Sequence, residues 1–230
     1  DGIPVVGMSD ISVDTTSIAI KLPVGNHVVS ETGSALSNYD AKFSQNCDNL
    51  GNVEVVLGQT KKCTITNTKL GNLTVTKNVN WNGVVSNGDQ KFNICITGPS
   101  YPITADCKET DYDGGDLVWT NLLPGDYIVT EPNIGSEWAV VVPSSAIAVS
   151  AGANATATVT NTRKHGSLDI TKIVDWNSVA VDSTKTFEIC INGPTTSYNN
   201  DCKTIDYDGG VLSWIDLIPG SYTVTETNPG

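Results

Sequence analysis

LTVTKNV, residues 73–79, alternates apolar and polar side chains at a period of two. That is the pattern of a strand with one face in a core and the other toward solvent. The same alternation runs through YIVTEP at 127–132 and ATVTNT at 157–162. Each stretch carries one polar residue among β-formers: Lys77, Glu131 and Asn161. A lysine on a first strand, a glutamate on a middle strand and an asparagine on a last strand can meet only inside a sandwich core. The three are therefore read as one site, where Lys77 and Asn161 can condense to an amide.

The surrounding composition agrees with strands. Val, Thr and Asn are abundant, Met occurs once, and helix-forming runs are missing, which makes the 230-residue chain all-β. A net charge of −12, from 25 acidic against 13 basic residues, argues against nucleic-acid binding by phosphate neutralisation and suits a soluble, self-repelling surface. The best candidate for a membrane span, residues 139–151, is interrupted by Pro143, Ser144 and Ser145, so no span is expected in this segment. No signal-peptide pattern opens it, so a mature or excised segment is expected.

The organisation comes from an internal repeat. Residues 71–135 align without a gap to 166–230 at an offset of 95: LTVTKNVNWN with LDITKIVDWN, FNICITGP with FEICINGP, and DYDGGDLVWTNLLPGDYIVTE with DYDGGVLSWIDLIPGSYTVTE. A more divergent copy opens the chain, where IAIKLPVGNHVVSE matches LVWTNLLPGDYIVTE and KKCTITNTK matches TATVTNTRK. Three units are expected: a partial β-sandwich at 1–69 lacking its opening strand, a complete one at 70–164, and a partial one at 165–230 lacking its closing strands. Within the complete unit, strands are expected at 72–79, 90–97, 116–121, 126–131, 137–142, 146–150 and 155–161, with a Gly/Pro turn and a cysteine-tied loop running to Cys107. About seven short strands with regular turns make a sandwich. Trp81, Trp119 and Trp138 are expected to fill its core or cap its ends.

Six cysteines fall as pairs within the units, Cys47 with Cys63, Cys95 with Cys107, and Cys190 with Cys202. Recurring pairs without a CxxC spacing read as a disulfide framework in an oxidising, extracellular compartment; free buried thiols are the alternative. The repeated DYDGG places Asp111 and Asp113, and again Asp206 and Asp208, where calcium could find oxygen ligands, against the simpler reading of a glycine-rich turn. No other cofactor is expected. A Ser/His/Asp hydrolase would need a histidine in the complete unit, and residues 70–164 contain none.

Taken together, LTVTK, then LLPGDYIVTE with Trp138 soon after, then a terminal VTNT, resemble the Cna-B or SpaA type of prealbumin-like domain found in bacterial surface proteins and pilins. The resemblance covers the middle unit and the available parts of the other two. It implies tandem prealbumin-like (Ig-like) β-sandwiches, each with an intramolecular isopeptide bond made by the matching lysine, glutamate and asparagine. Lys77, Glu131 and Asn161 match those positions, although TKNV lacks the acidic residue that often follows the lysine by two. The chemistry has its own logic. Burial lowers a lysine pKa toward a neutral, nucleophilic amine and raises a carboxyl pKa, so that a protonated Glu131 can polarise the Asn161 amide and shuttle the proton released. Such a bond forms once, so no turnover enzyme is implied. The alternative is a buried salt bridge that never condenses.

The end units hold incomplete sets. Lys172 and Glu226 have no asparagine partner, while Glu31 and Asn67 have no lysine. Either the chain is a window on a longer tandem array, or molecules complement one another head to tail, Lys172 of one joining Asn67 of the next. Against the second stands the PG-to-Glu strand, which both partial units carry. The expectation is a structural extracellular or cell-surface protein, part of a filament, pilus or stalk, with an adhesin or ligand-binding module as the alternative.

Overall fold

The computed structural model describes residues 19–33, 36–195 and 200–227; the expected start of the first unit, within 1–18, lies outside the described residues. Apart from one 3-10 turn at Leu36–Asn38, every regular element among them is a strand. The first group is β1 (Gly25–Val28), β2 (Tyr39–Gln45), β3 (Asn52–Val55) and β4 (Cys63–Lys69). The second is β5 (Gly71–Asn80), β6 (Phe92–Gly98), β7 (Tyr101–Thr110), β8 (Gly115–Leu122), β9 (Gly125–Thr130), β10 (Trp138–Val141), β11 (Ile147–Val149) and β12 (Asn154–Arg163). The third is β13 (Gly166–Lys172), β14 (Thr186–Asn192), β15 (Asp201–Asp206), β16 (Gly210–Leu217) and β17 (Thr223–Glu226). No sheet mixes strands from different groups.

The middle group makes a two-layer sandwich, with sheet β10-β12-β5-β8 against sheet β11-β9-β6-β7. Strand alternation builds its core: Leu73 and Val75 from β5, Ala157 and Val159 from β12, Ile94 and Ile96 from β6, and Tyr127 and Val129 from β9 all point inward. Burying each aliphatic side chain contributes about 1.5–3 kcal/mol. One pairing is parallel, β12 beside β5, with Val159 opposite Lys77 and Asn161 opposite Val79. Parallel neighbours need a long crossover, and here the crossover is the rest of the sandwich, so its first and last strands lie side by side in mid-sheet.

Residues 101–107, expected as loop, belong to strand β7, with Cys107 directly opposite Cys95. The strand is an edge of its sheet and tolerates Pro102, and its Ile103 faces solvent, so neither proline nor polarity pattern marks it as strand. It brings the strands of the middle unit to eight, against about seven expected. Trp119 and Trp138 are buried, and Trp81 lies edge-on to Trp138 at 5.0 Å.

A repeated lock sets the strand that leads to Glu131. Tyr127 Oη donates to Leu123 O at 2.9 Å, Leu123 N donates to Ser100 Oγ at 2.8 Å, and any Cβ at Gly98 would fall 2.5 Å from the Tyr127 ring. The third group repeats it with Tyr222, Ile218, Thr195 and Gly193. That lock accounts for the recurrence of GP and PGxY in the two copies.

The outer groups are thinner. Among the described residues of the third, β13 pairs only with β16, while β14 lies between β15 and β17. Among the described residues of the first, β1 pairs only with β3 and β2 only with β4, and the buried hydrophobics are Cys47 and Val53. Disulfides join Cys47 to Cys63, Cys95 to Cys107 and Cys190 to Cys202. A core as small as the first group's leans on such a bridge, which contributes about 2–4 kcal/mol.

Candidate functional site

The inward phase of β5 that buries Leu73 and Val75 also buries Lys77, which is 1% exposed. Inward phase on β12 does the same to Asn161, 0% exposed, two residues beyond Val159. Glu131 follows the last residue of β9 and turns its carboxylate in beside them, its side chain 1% exposed. The geometry is a bridge. Lys77 Nζ donates to Glu131 Oε2 at 2.9 Å, and Asn161 Nδ2 donates to Glu131 Oε1 at 2.9 Å. Asn161 Oδ1 is buried and has no hydrogen-bond partner.

Aromatic rings close the site. The Lys77 ammonium lies 4.7 Å from the Phe92 ring centre, Phe92 meets Trp138 edge-on at 5.3 Å, and Arg163 stacks on Trp138 at 5.2 Å. Burial holds the Lys77 pKa below its ordinary value, opposed by the hydrogen bond and charge of Glu131. With water excluded, one carboxylate touches both the amine that would attack and the amide nitrogen that would leave. Phe92 was not singled out by sequence reasoning, yet its signal was there, because Phe187 recurs at the same offset and lies 4.4 Å from Lys172 Nζ.

The other two sets are placed differently. Lys172 Nζ meets Glu226 at 2.8 Å, but these side chains are 18% and 33% exposed, and no described asparagine bonds either. Asn67 Nδ2 donates to Glu31 Oε1 at 2.7 Å, while Glu31 Oε2 is buried without a partner. The DYDGG aspartates lie in turns: Gly114 N donates to Asp111 O at 3.0 Å and Gly209 N to Asp206 O at 3.0 Å. Asp111 also pairs with Lys91. Among the described residues the one cluster of three ligand-type groups is Glu188 with Cys190 and Cys202, whose sulfurs are bonded to each other.

No protein-family model and no curated protein matches the chain. Solved structures that overlap it include the Bacillus anthracis TIE protein, at 22% identity and a TM-score of 0.46, over 83% of this chain and 35% of that one. The chain thus spans about a third of that protein's length. The shaft pilin SpaA from Lactobacillus rhamnosus GG overlaps at 12% identity and a TM-score of 0.28, over 70% of this chain and 88% of the pilin. The major pilin from Streptococcus pyogenes does so at 13% identity and a TM-score of 0.31, over 70% and 83%. These superpositions are loose.

Proposed function

We propose that this chain is a structural extracellular module, part of a surface filament, pilus or stalk, whose middle sandwich closes itself with an amide bond between Lys77 and Asn161. The observation that carries the reading is the Glu131 carboxylate, buried and hydrogen-bonded to both reacting groups at 2.9 Å. The neutral Lys77 amine attacks Asn161 Cγ, and its surplus proton passes to Glu131 Oε2. Glu131 returns a proton through Oε1 to Asn161 Nδ2, which leaves as ammonia, and an Nζ–Cγ amide remains. Held partners in a rigid core supply much of the rate. The bond forms once and is not turned over.

A mechanical role follows from where the bond sits. Tension applied at Gly71 and Arg163 pulls the parallel neighbours β5 and β12 in opposite directions, and a bond between Lys77 and Asn161 passes it from one strand to the other. Everything between those residues, including the Cys95–Cys107 disulfide, drops out of the load path. The closing strand of one group runs almost directly into the opening strand of the next, β4 into β5 across Leu70 and β12 into β13 across Lys164 and His165. The units are thereby linked in series, as tandem units of one polypeptide or as copies joined head to tail.

Single-molecule pulling tests this. The 230-residue chain should show no extension from residues 77–161, whereas Lys77→Ala should release that length, less residues 95–107 held by the Cys95–Cys107 disulfide, as a distinct unfolding event. Identical traces would contradict the proposal.

A further inference from the structure

We infer that Phe92 is a positioning residue for the Lys77 reaction: its ring seats the ammonium beside Glu131 and sets the pH above which the amine is free to attack. This rests on the reading of the Lys77 site and adds to it the group that governs when that site reacts.

The pleat of β6 puts the ring there. Phe92 opens the strand, and the inward phase that carries Ile94 and Ile96 into the core leaves Phe92 1% exposed. Its ring centre lies 4.7 Å from Lys77 Nζ, within the range at which a cation is drawn to the negative face of an aromatic ring. The ring is wedged in place. It stands at 81° to Trp138 with centres 5.3 Å apart, and Trp138 is itself held edge-on by Trp81 at 5.0 Å and covered by the Arg163 guanidinium at 5.2 Å.

The repeat gives a second observation. In the third group Phe187 lies 4.4 Å from Lys172 Nζ, which also meets Glu226 at 2.8 Å. The surroundings differ, since the Lys172 side chain is 18% exposed and that of Lys77 0%. The other inward positions of the two strands, Ile94 and Ile96 and their counterparts Ile189 and Ile191, are aliphatic. The chain has three phenylalanines, and two of them stand at this one position, beside a lysine. Filling space would be served by isoleucine there too; attracting a cation would not.

The ring acts on one protonation state. Burial draws the Lys77 pKa down, and the hydrogen bond and charge of Glu131 oppose it. The face of Phe92 adds to that opposition, because it attracts the ammonium and has no comparable pull on the neutral amine. Other charged groups lie further off. Arg163 on β12 sits beyond Trp138 and pairs with Glu137 ahead of β10, Asp116 on β8 accepts from Thr76, and Lys91 ahead of β6 pairs with Asp111 at the surface. Of all these, Glu131 is the one that acts on the Lys77 charge. Glu131 takes up and passes on a proton during condensation, so its hold on the amine changes as the reaction proceeds, whereas the hold of the ring on the ammonium needs no proton.

The test uses the full 230-residue chain carrying Lys172→Ala, so that Lys77 alone is read. It is assembled chemically, kept denatured, and refolded across a pH series while intact mass follows the loss of ammonia. Position 92 carries phenylalanine or its mono-, di- or trifluorinated forms, which weaken the negative face of the ring with little change in size. The limb of the rate profile that rises with pH should move toward acid with each fluorine. At a fixed pH on that limb the trifluorinated chain should condense roughly 3- to 30-fold faster than the parent, with the plateau above it unchanged. Phe92→Leu should move the limb in the same direction. A limb that stays in place or moves toward alkali as fluorines are added would overturn the inference. So would a rate lowered evenly at every pH, the signature of a ring that only fills space. Each of these leaves the Lys77 reading standing, because the parent chain still loses ammonia. A parent chain of full mass at every pH would overturn that reading, and the inference with it.

Discussion

Burial makes Lys77 hold its proton less firmly than a lysine in water, even though its ammonium lies 2.9 Å from Glu131 Oε2 and over the Phe92 ring, both of which favour the charged form. The sign of the pH effect follows. Between the lowered pKa and the ordinary value of 10.5 the unfolded chain keeps a proton that the folded chain sheds. The unreacted fold therefore gains stability as pH rises through that window and lacks the gain below it. Condensation needs the neutral amine, so its rate should rise about tenfold per pH unit below the lowered pKa. Mass spectrometry of freshly synthesised chain, quenched at intervals across a pH series, reads this directly, and a rate that ignores pH would contradict it. At this scale the sequence was informative: the alternation in LTVTK and ATVTN placed Lys77 and Asn161 on inward positions. It could not say which atoms meet. Asn161 Nδ2 donates to Glu131 Oε1 while Oδ1 is left without a partner, a choice between two amide atoms that no strand pattern encodes.

Among the elements, β5 and its repeat β13 make a controlled comparison within one chain. Gly71→Ala should cost roughly 1–3 kcal/mol, because the new methyl would overlap Ser150 O and Val149. Gly166→Ala should stay within about 0.5 kcal/mol, since its surroundings are open. Thermal unfolding of the two variants checks this, and equal losses would show that Gly166 is already covered. The hairpin and turn signals gave most strand positions to within two residues. The edge strand β7 was missed because the cues for a strand, inward apolar residues and no proline, weaken where one edge and one face meet solvent. The parallel pairing of β5 with β12 was not legible either, as it joins the two ends of a unit and leaves no local mark. Even the DYDGG turn, readable as a turn, has its reason elsewhere: Gly114 has φ +83°, and a Cβ there would fall 2.2 Å from Lys77 O, so the turn packs against the backbone of Lys77. Gly209 meets Lys172 O in the same way at 2.3 Å.

Over the whole molecule the three groups differ in what holds them. Each has a disulfide, but the middle sandwich has a large buried core, while the cores of the outer groups are small among the described residues. A net charge of −12 keeps such chains apart in solution, and open sheet edges invite specific strand addition. A covalent bond between first and last strands would also confer kinetic stability, since unfolding could no longer begin by parting them. All of this depends on whether Lys77 and Asn161 are bonded. The direct measurement is the intact mass of the fully reduced and denatured Lys172→Ala chain, which retains only the complete set. The account predicts a mass lower than the sequence requires by one ammonia, about 17 Da, restored to the full value in a second chain that also carries Glu131→Ala. A full, unshifted mass for the first chain would contradict it.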